Sequence, residues 1–295
     1  MLCTQHQTAF LASGYEWSLC KIAHTYNLEG LYSGKRSMRA GTHVAAVSVP
    51  ILLLCVVAWQ PAVAQSPHPT TPELRPALTA EQVVDNLVRR NLERAHALGS
   101  YKGTRVYRLE YHGFPSSRTA EITVDVQYRS PATKEFTIRS ESGSHFLVEK
   151  VFQRMLQSEK DALVEENQTH VALNNDNYRF TLAGLQTLPT GPSYILVVEP
   201  RTSNKLLYRG RIWVDAEDFA VVRIEAQPAK NPSFWTKETT IEQVYGKVGN
   251  FWLPVSNRST SAIRLGGHAS FSIDYQDYQV TAEAPTNSFG KTKGY

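Results

Sequence analysis

The sequence predicts a mostly β protein with helices, in the α+β class: a large, twisted antiparallel sheet of about ten strands, with two amphipathic helices covering one face. Three observations predict this fold. Apolar residues alternate with polar ones over most of the chain, turn residues separate the alternating runs, and two segments instead repeat their apolar residues at helical spacing. One domain is expected, because a sheet of this size is compatible with a single core.

An export signal is predicted within the N-terminal region. It opens at Met38 with a charged start, continues with an apolar run from Val44 to Trp59, and ends on small residues at Ala62 and Ala64. The apolar run is too short to span a bilayer comfortably, so we expect cleavage after Ala64 and export to the periplasm.

The chain is accordingly divided into five expected segments. These are an over-extended gene model at 1–37, a signal peptide at 38–64, a flexible proline-rich leader at 65–78, a folded domain at 79–281 and a polar tail at 282–295. A genuine extension or an uncleaved anchor is the alternative for the first segment.

Cleavage after Ala64 would leave a domain without cysteine, since Cys3, Cys20 and Cys55 all precede that point. The hydrophobic core would then have to hold the fold without disulfides. Removing the four basic and two acidic residues upstream of Gln65 from the totals of 31 and 27 leaves 27 and 25, a net charge of +2. This near balance argues against nucleic-acid binding.

The first predicted element is a helix, roughly Thr79 to Leu98. Thr79 and Gln82 have the spacing of a capping box, and apolar residues then recur at helical intervals as far as Ala95.

Beyond the helix, apolar residues recur at every second position, which is typical of strands. Three strands are predicted from the apolar sets Tyr107, Leu109 and Tyr111, then Ile122, Val124, Val126 and Tyr128, then Phe136 and Ile138, with a turn at Ser140–Ser144.

A second amphipathic helix, Leu147 to Leu163, is predicted to interrupt the sheet. Val151, Phe152, Met155 and Leu156 form its apolar side.

Turn residues such as Gly249-Asn250 separate the later strand signals, as hairpins require. Seven more strands are predicted at Tyr178–Leu182, Tyr194–Val198, Leu206–Val214, Phe219–Ile224, Thr239–Val248, Phe251–Ile263 and Ala269–Tyr278.

Catalytic and metal-binding patterns give little support for an enzyme. The histidines expected in the folded protein show no HxH or HExxH spacing; they are His68, His96, His112, His145, His170 and His268. The acidic run VDAEDF (214–219), with Asp215, Glu217 and Asp218, is better explained as a hairpin turn than as a calcium or acid–base cluster. No G-x-S-x-G elbow occurs. We therefore expect no cofactor, no metal and no catalytic residue.

Three motifs carry a resemblance to a known family. They are RGRIWVDAEDFAVVRIEAQPAKNPSFW (209–235), YGKVGNFWLPVSNRS (245–259) and SIDYQDY (272–278). Together with the helix at 85–98 and FTIRSESGS at 136–144, they resemble the bacterial outer-membrane lipoprotein-sorting, LolA-like family. The resemblance extends over nearly the whole folded domain.

The resemblance implies an incompletely closed antiparallel β-barrel, whose helices act as lid and plug over an apolar concave groove that binds acyl chains. The implied partners are an acylated lipoprotein or lipid and envelope membrane complexes. We expect the groove and plug to be formed by Tyr107, Leu109, Tyr111, Val124, Val126, Phe136, Ile138, Val151, Phe152, Met155 and Phe180. Two rivals stay open: a periplasmic sensor module of the RseB kind, and an exported hydrolase with an unrecognised site.

Overall fold

The computed structural model describes residues 78–114, 116–131, 133–161, 171–204, 206–231, 236–264 and 266–283. The expected signal peptide, nearly all of the leader and nearly all of the polar tail lie outside the described residues, as do His68 and His170. No helix among the described residues is both long and apolar enough to cross a membrane.

Helix α1 spans Ala80–Ala97 and confirms the predicted capping box. The Gln82 amide donates to the Thr79 side-chain oxygen at 3.2 Å, and the Thr79 amide donates to the Gln82 side chain at 2.9 Å. These two bonds satisfy groups that the first turn of a helix otherwise leaves without partners. Val83 and Leu87 are completely buried, so the apolar side of α1 is part of the core.

Ten strands are described, and every neighbouring pair is antiparallel. Their bounds are β1 Leu98–Gly113, β2 Arg118–Arg129, β3 Thr133–Gly143, β4 Tyr178–Leu188, β5 Gly191–Pro200, β6 Tyr208–Asp215, β7 Val221–Pro228, β8 Thr236–Val248, β9 Phe251–Ile263 and β10 Gly267–Ala282. They form one sheet in the order β3-β2-β1-β10-β9-β8-β7-β6-β5-β4. Because β3 and β4 are the two edges, the sheet is not closed, and the predicted open antiparallel architecture with helices is confirmed.

Helix α2, the inserted helix, has three consecutive parts between β3 and β4. An α-helical turn at His145–Leu147 leads into a π-helical stretch at Val148–Phe152 and a further α-helical stretch at Gln153–Asp161. The helix therefore begins two residues before the predicted start, and its predicted end at Leu163 lies outside the described residues. Widened π-helical turns of this kind are rare in proteins and are frequently found at functional sites.

The strand registers place one row of residues on the same face across nine strands. The row consists of Ile122, Tyr107, Ile273, Asn257, Gln243, Ile224, Ile212, Leu196 and Leu182. We call this the inner face, because residues of both helices pack against it. The opposite, outer face carries ion pairs on β1, such as those of Arg108 with Glu121 and Asp274.

The inner face holds two apolar clusters. The first cluster joins α2 to β1, β2, β10 and the start of β9, and includes Tyr107, Ile122 and Ile273. The second cluster joins α1 to β4, β5, β6 and β7, with one residue each from β8 and β9, and includes Ile212 and Leu196. The two polar members of the cross-strand row, Asn257 and Gln243, belong to neither cluster and lie between them.

Two local predictions are wrong. The turn expected at Ser140–Ser144 is strand, because β3 continues to Gly143; β3 is an edge strand with both faces exposed in this stretch, so it needs no alternating pattern. Strand β7 begins at Val221 rather than at Phe219, whose φ of 49° places it in the preceding turn.

Candidate functional site

The candidate site is the part of the inner face that α2 covers. Leu147, Val148, Val151, Phe152, Met155 and Leu156 are all buried in the first cluster. The Phe152 ring lies 6.2 Å from the Tyr107 ring and 6.4 Å from the Phe271 ring, measured between centroids. Helix α2 therefore occupies an aromatic surface that the strands build, as a plug would.

The structure brings most of the expected groove residues together. Tyr107, Leu109, Val124, Val126, Val151, Phe152 and Met155 belong to the first cluster, and Phe136 packs against it. Tyr111 is buried on the same strand face outside that cluster, and its hydroxyl donates to the carbonyl of Phe114 at 2.7 Å. Ile138 is 37% exposed on the edge strand β3. Phe180 packs against the second cluster instead, so it lies on the inner face but apart from the other expected groove residues.

A buried ion cluster fixes the far end of α2 to the sheet. Glu159 accepts from Arg105 of β1, with both carboxylate oxygens 3.0 Å from Nη1, and also from Lys134 of β3. All three side chains are about 3% exposed. The Arg105 guanidinium also donates to the Tyr107 hydroxyl at 3.1 Å and lies 5.1 Å from the centre of the Tyr275 ring.

Burial of the Glu159 carboxylate disfavours its charged form, but Arg105 and Lys134 outweigh this and hold its pKa below the ordinary value of 4.5. A buried ion pair adds little net stability, because desolvation offsets most of the attraction, yet removing one partner is strongly destabilising. The cluster is therefore better suited to fixing where α2 sits than to strengthening the core.

Acid is expected to loosen α2. A carboxyl group whose pKa is lower in the folded protein binds fewer protons there than in the unfolded chain. Its contribution to the free energy of unfolding is therefore complete above pH 4.5, and it is lost as the pH falls through the pKa of the folded protein. The free energy of unfolding of the wild type should therefore fall relative to that of Glu159→Gln below pH 4.5. Urea unfolding of both proteins between pH 3 and pH 7 measures this, and a constant difference would contradict it.

This cluster was not among the predicted sites, although the sequence carries a signal for it. Arg105 has the same strand parity as Tyr107 and Leu109, and Lys134 has the same parity as Phe136. Glu159 follows Met155 by one helical turn and so lies on the buried side of α2. A charged residue at an inward position needs a buried partner of opposite charge, so these three positions indicate buried ion pairs without showing which residues form them.

A second polar group, the central seam, begins between the two apolar clusters with Gln243 and Asn257 and ends at Tyr275 of the first cluster. Gln243 of β8 and Asn257 of β9 are direct cross-strand partners. On its other side Asn257 pairs with Ile273 of β10, and Tyr275 lies two residues further along β10 on the same face as Ile273. The exposed fractions of Gln243, Asn257 and Tyr275 are 4%, 1% and 6%. Both amide atoms of Asn257, the amide nitrogen of Gln243 and the hydroxyl of Tyr275 have no hydrogen-bond partner within the described part of the chain.

The histidines and the acidic run do not form a metal centre in the described residues, where no group of three or more His, Cys, Asp or Glu side chains is close enough. His112 and His268 are cross-strand partners whose rings stack at 4.9 Å, a contact that their sequence spacing does not indicate. Asp215 accepts from the amides of Glu217 and Asp218, at 3.0 and 2.7 Å. The interpretation of this run as a hairpin turn is confirmed.

The outer face carries a cavity of about 710 Å³ across β5 to β9. Its charged side chains are Arg209, Arg211, Arg258, Glu199, Glu225 and Glu242. A lining that contains three arginines and three glutamates does not suit a hydrocarbon chain. The surface that does suit one is the inner face.

Comparison with known proteins gives structural neighbours only. No protein-family model matches the chain, and no curated protein matches it. One similar solved structure is an outer membrane lipoprotein-sorting protein domain from Vibrio parahaemolyticus, with 12% identity, a TM-score of 0.34, and coverage of 72% of this chain and 97% of that one. Another is the LolA superfamily protein NE2245 from Nitrosomonas europaea, with 11% identity, a TM-score of 0.32, and coverage of 73% and 99%.

A third neighbour is the Pseudomonas aeruginosa MucA/MucB complex, with 10% identity, a TM-score of 0.22, and coverage of 68% of this chain and 94% of that one.

Proposed function

We propose that this protein is an exported, non-enzymatic carrier that binds the acyl chains of lipoproteins or lipids on its inner face and takes part in outer-membrane lipoprotein sorting. One observation carries the proposal: α2 buries its apolar side on the aromatic surface of an open sheet and is fixed there by a buried ion cluster. An acyl chain would take the place of α2 on the sheet, and α2 would then cover the chain.

The energetics of acyl transfer require such a cover. Burying a chain of sixteen carbons is worth roughly 12 kcal/mol, at about 0.8 kcal/mol for each methylene group, so unaided escape into water is very slow. A carrier has to offer an apolar surface and still release its ligand. A helix that competes with the ligand for the same surface weakens binding by the free energy of its own packing, which makes release possible.

The proposed setting is the periplasm, with an acylated lipoprotein or lipid as ligand and envelope membrane complexes as donor and acceptor. The alternative is a regulatory module that binds acyl chains in order to signal through a protein partner. Both uses need the same inner face, and they differ in what the protein does after binding. The resemblance covers nearly the whole folded domain, and carriage is the function that it implies for this chain.

Native mass spectrometry of the protein purified from its own envelope tests the proposal. We expect a bound species whose mass matches an acylated lipoprotein or a lipid, and we expect delipidated protein to bind a fluorescent palmitoyl probe. A stable complex with a membrane-anchored signalling protein would favour the regulatory alternative. Protein that carries no acyl ligand and does not bind the probe would overturn the proposal.

A further inference from the structure

The central seam of Gln243, Asn257 and Tyr275 lies where an apolar core would be expected to continue. The cross-strand row is apolar on both sides of it, with Ile273 next to Asn257 and Ile224 next to Gln243. A carrier of hydrocarbon alone gains nothing from amides at these positions. Buried polar side chains nearly always have hydrogen-bond partners, so each one that lacks a partner requires an explanation.

The seam has a defined hydrogen-bonding capacity. The Asn257 amide offers a donor and an acceptor, the Gln243 amide nitrogen offers donors, and the Tyr275 hydroxyl can donate or accept. Residues directly opposite on antiparallel strands have Cβ atoms about 5 Å apart, so one small polar group can contact both amides. The Tyr275 ring also lies under the Arg105 guanidinium, which places this end of the seam beside the ion cluster that holds α2.

We infer that the central seam is a polar subsite for the carbonyl linkage of an acylated ligand, and that it favours an amide-linked acyl group. The inference rests on the proposed function and deepens it, because it names the chemical group that adjoins the bound chain. A carbonyl oxygen would accept from the amide nitrogens of Gln243 and Asn257. An amide N–H could in addition donate to the side-chain oxygen of Asn257, which an ester cannot do.

The test compares three ligands that share a long alkyl chain and differ in the group at its head, each measured by displacement of bound diphenylhexatriene. Hexadecane is a pure hydrocarbon, methyl palmitate has an ester, and N-methylpalmitamide has an amide in place of that ester. Wild-type protein is compared with Gln243→Leu/Asn257→Leu, in which apolar groups of similar size replace both amides. Ser259→Ala, the next inward position on β9, is the matched control, and Gln243→Met is a milder second variant if the double variant folds poorly.

The double variant should bind N-methylpalmitamide at least tenfold more weakly than the wild type, and its affinity for hexadecane should stay within twofold of the wild-type value. Its melting temperature should be unchanged or higher, because unpaired buried amides have been removed. Gln243→Met should show a smaller loss of the same kind, and Ser259→Ala none. A larger loss for the amide than for the ester is expected. Equal losses would support a subsite for the carbonyl group and would contradict its preference for amide-linked chains.

Two results would overturn the inference and leave the proposed function standing. One is that the wild type binds all three ligands and the double variant binds them equally well. The other is that the double variant loses the hydrocarbon as much as the amide, which would make the seam part of the core. Wild-type protein that binds no probe would instead contradict the proposed function itself.

Discussion

Replacing Phe152 and Met155 together by glutamate is expected to abolish binding of a fluorescent palmitoyl probe. Both side chains are at most 2% exposed and face the aromatic surface of β1 and β10. In the proposed mechanism this side of α2 packs on the sheet when the protein is empty and on the acyl chain when it is loaded. A charged side can do neither, because an unpaired buried charge costs several kcal/mol.

The expected loss of affinity is large. If α2 no longer covers the chain, about half of the chain's surface stays in water, and roughly half of the 12 kcal/mol of burial is forfeited. Affinity should fall by at least about a hundredfold, which fluorescence titration measures directly. Unfolding should also become easier, because Phe152 belongs to the core cluster and loses its packing there.

Controls separate a binding defect from a folding defect. Glu149→Ala and Gln153→Ala change the exposed side of the same helix and should leave both probe affinity and melting temperature close to those of the wild type. The charged variant should retain the far-ultraviolet circular dichroism of a β-sheet protein at 25 °C. If it melts far earlier and the wild type never binds the probe, α2 is ordinary core and the carrier proposal loses its main structural support.

The sheet could be predicted from the sequence because its signal is local. Apolar residues at every second position of β2 predict one buried face, and the structure buries all four of them: Ile122, Val124, Val126 and Tyr128. The capping box at Thr79 likewise needs only residues three apart. Strand ends were predicted less well where turn and edge residues such as Ser140 and Phe219 carry no alternating pattern.

The polar parts of the candidate site could not be predicted in the same way. The ion cluster joins residues from β1, β3 and α2, and the central seam joins residues from β8, β9 and β10, so each depends on register between distant segments. Sequence parity shows that Arg105 or Asn257 points inward, but not which side chain faces it. Phe180 illustrates the same limit: it points inward as expected, yet it lies on β4, at the edge of the sheet opposite β3.

Glu159→Gln is expected to act in the opposite direction and to strengthen probe binding. The variant keeps the size of the side chain but leaves Arg105 and Lys134 without their shared carboxylate, and breaking a buried pair in this way costs about 3–5 kcal/mol. This cost destabilises only the state in which α2 packs on the sheet. The population with α2 displaced should therefore rise, and since the apolar side of the helix is intact, it can still cover a bound chain.

Three measurements distinguish this displacement from simple loss of stability. Probe affinity should rise by about tenfold or more, amide hydrogen exchange should quicken within 153–161 before it does in β1 or β2, and the melting temperature should fall. Glu149→Gln, on the exposed side of the same helix, should change none of the three. Weaker probe binding together with uniformly faster exchange across the sheet would mean that Glu159 stabilises the whole core, and the ion cluster would then have no part in admitting the ligand.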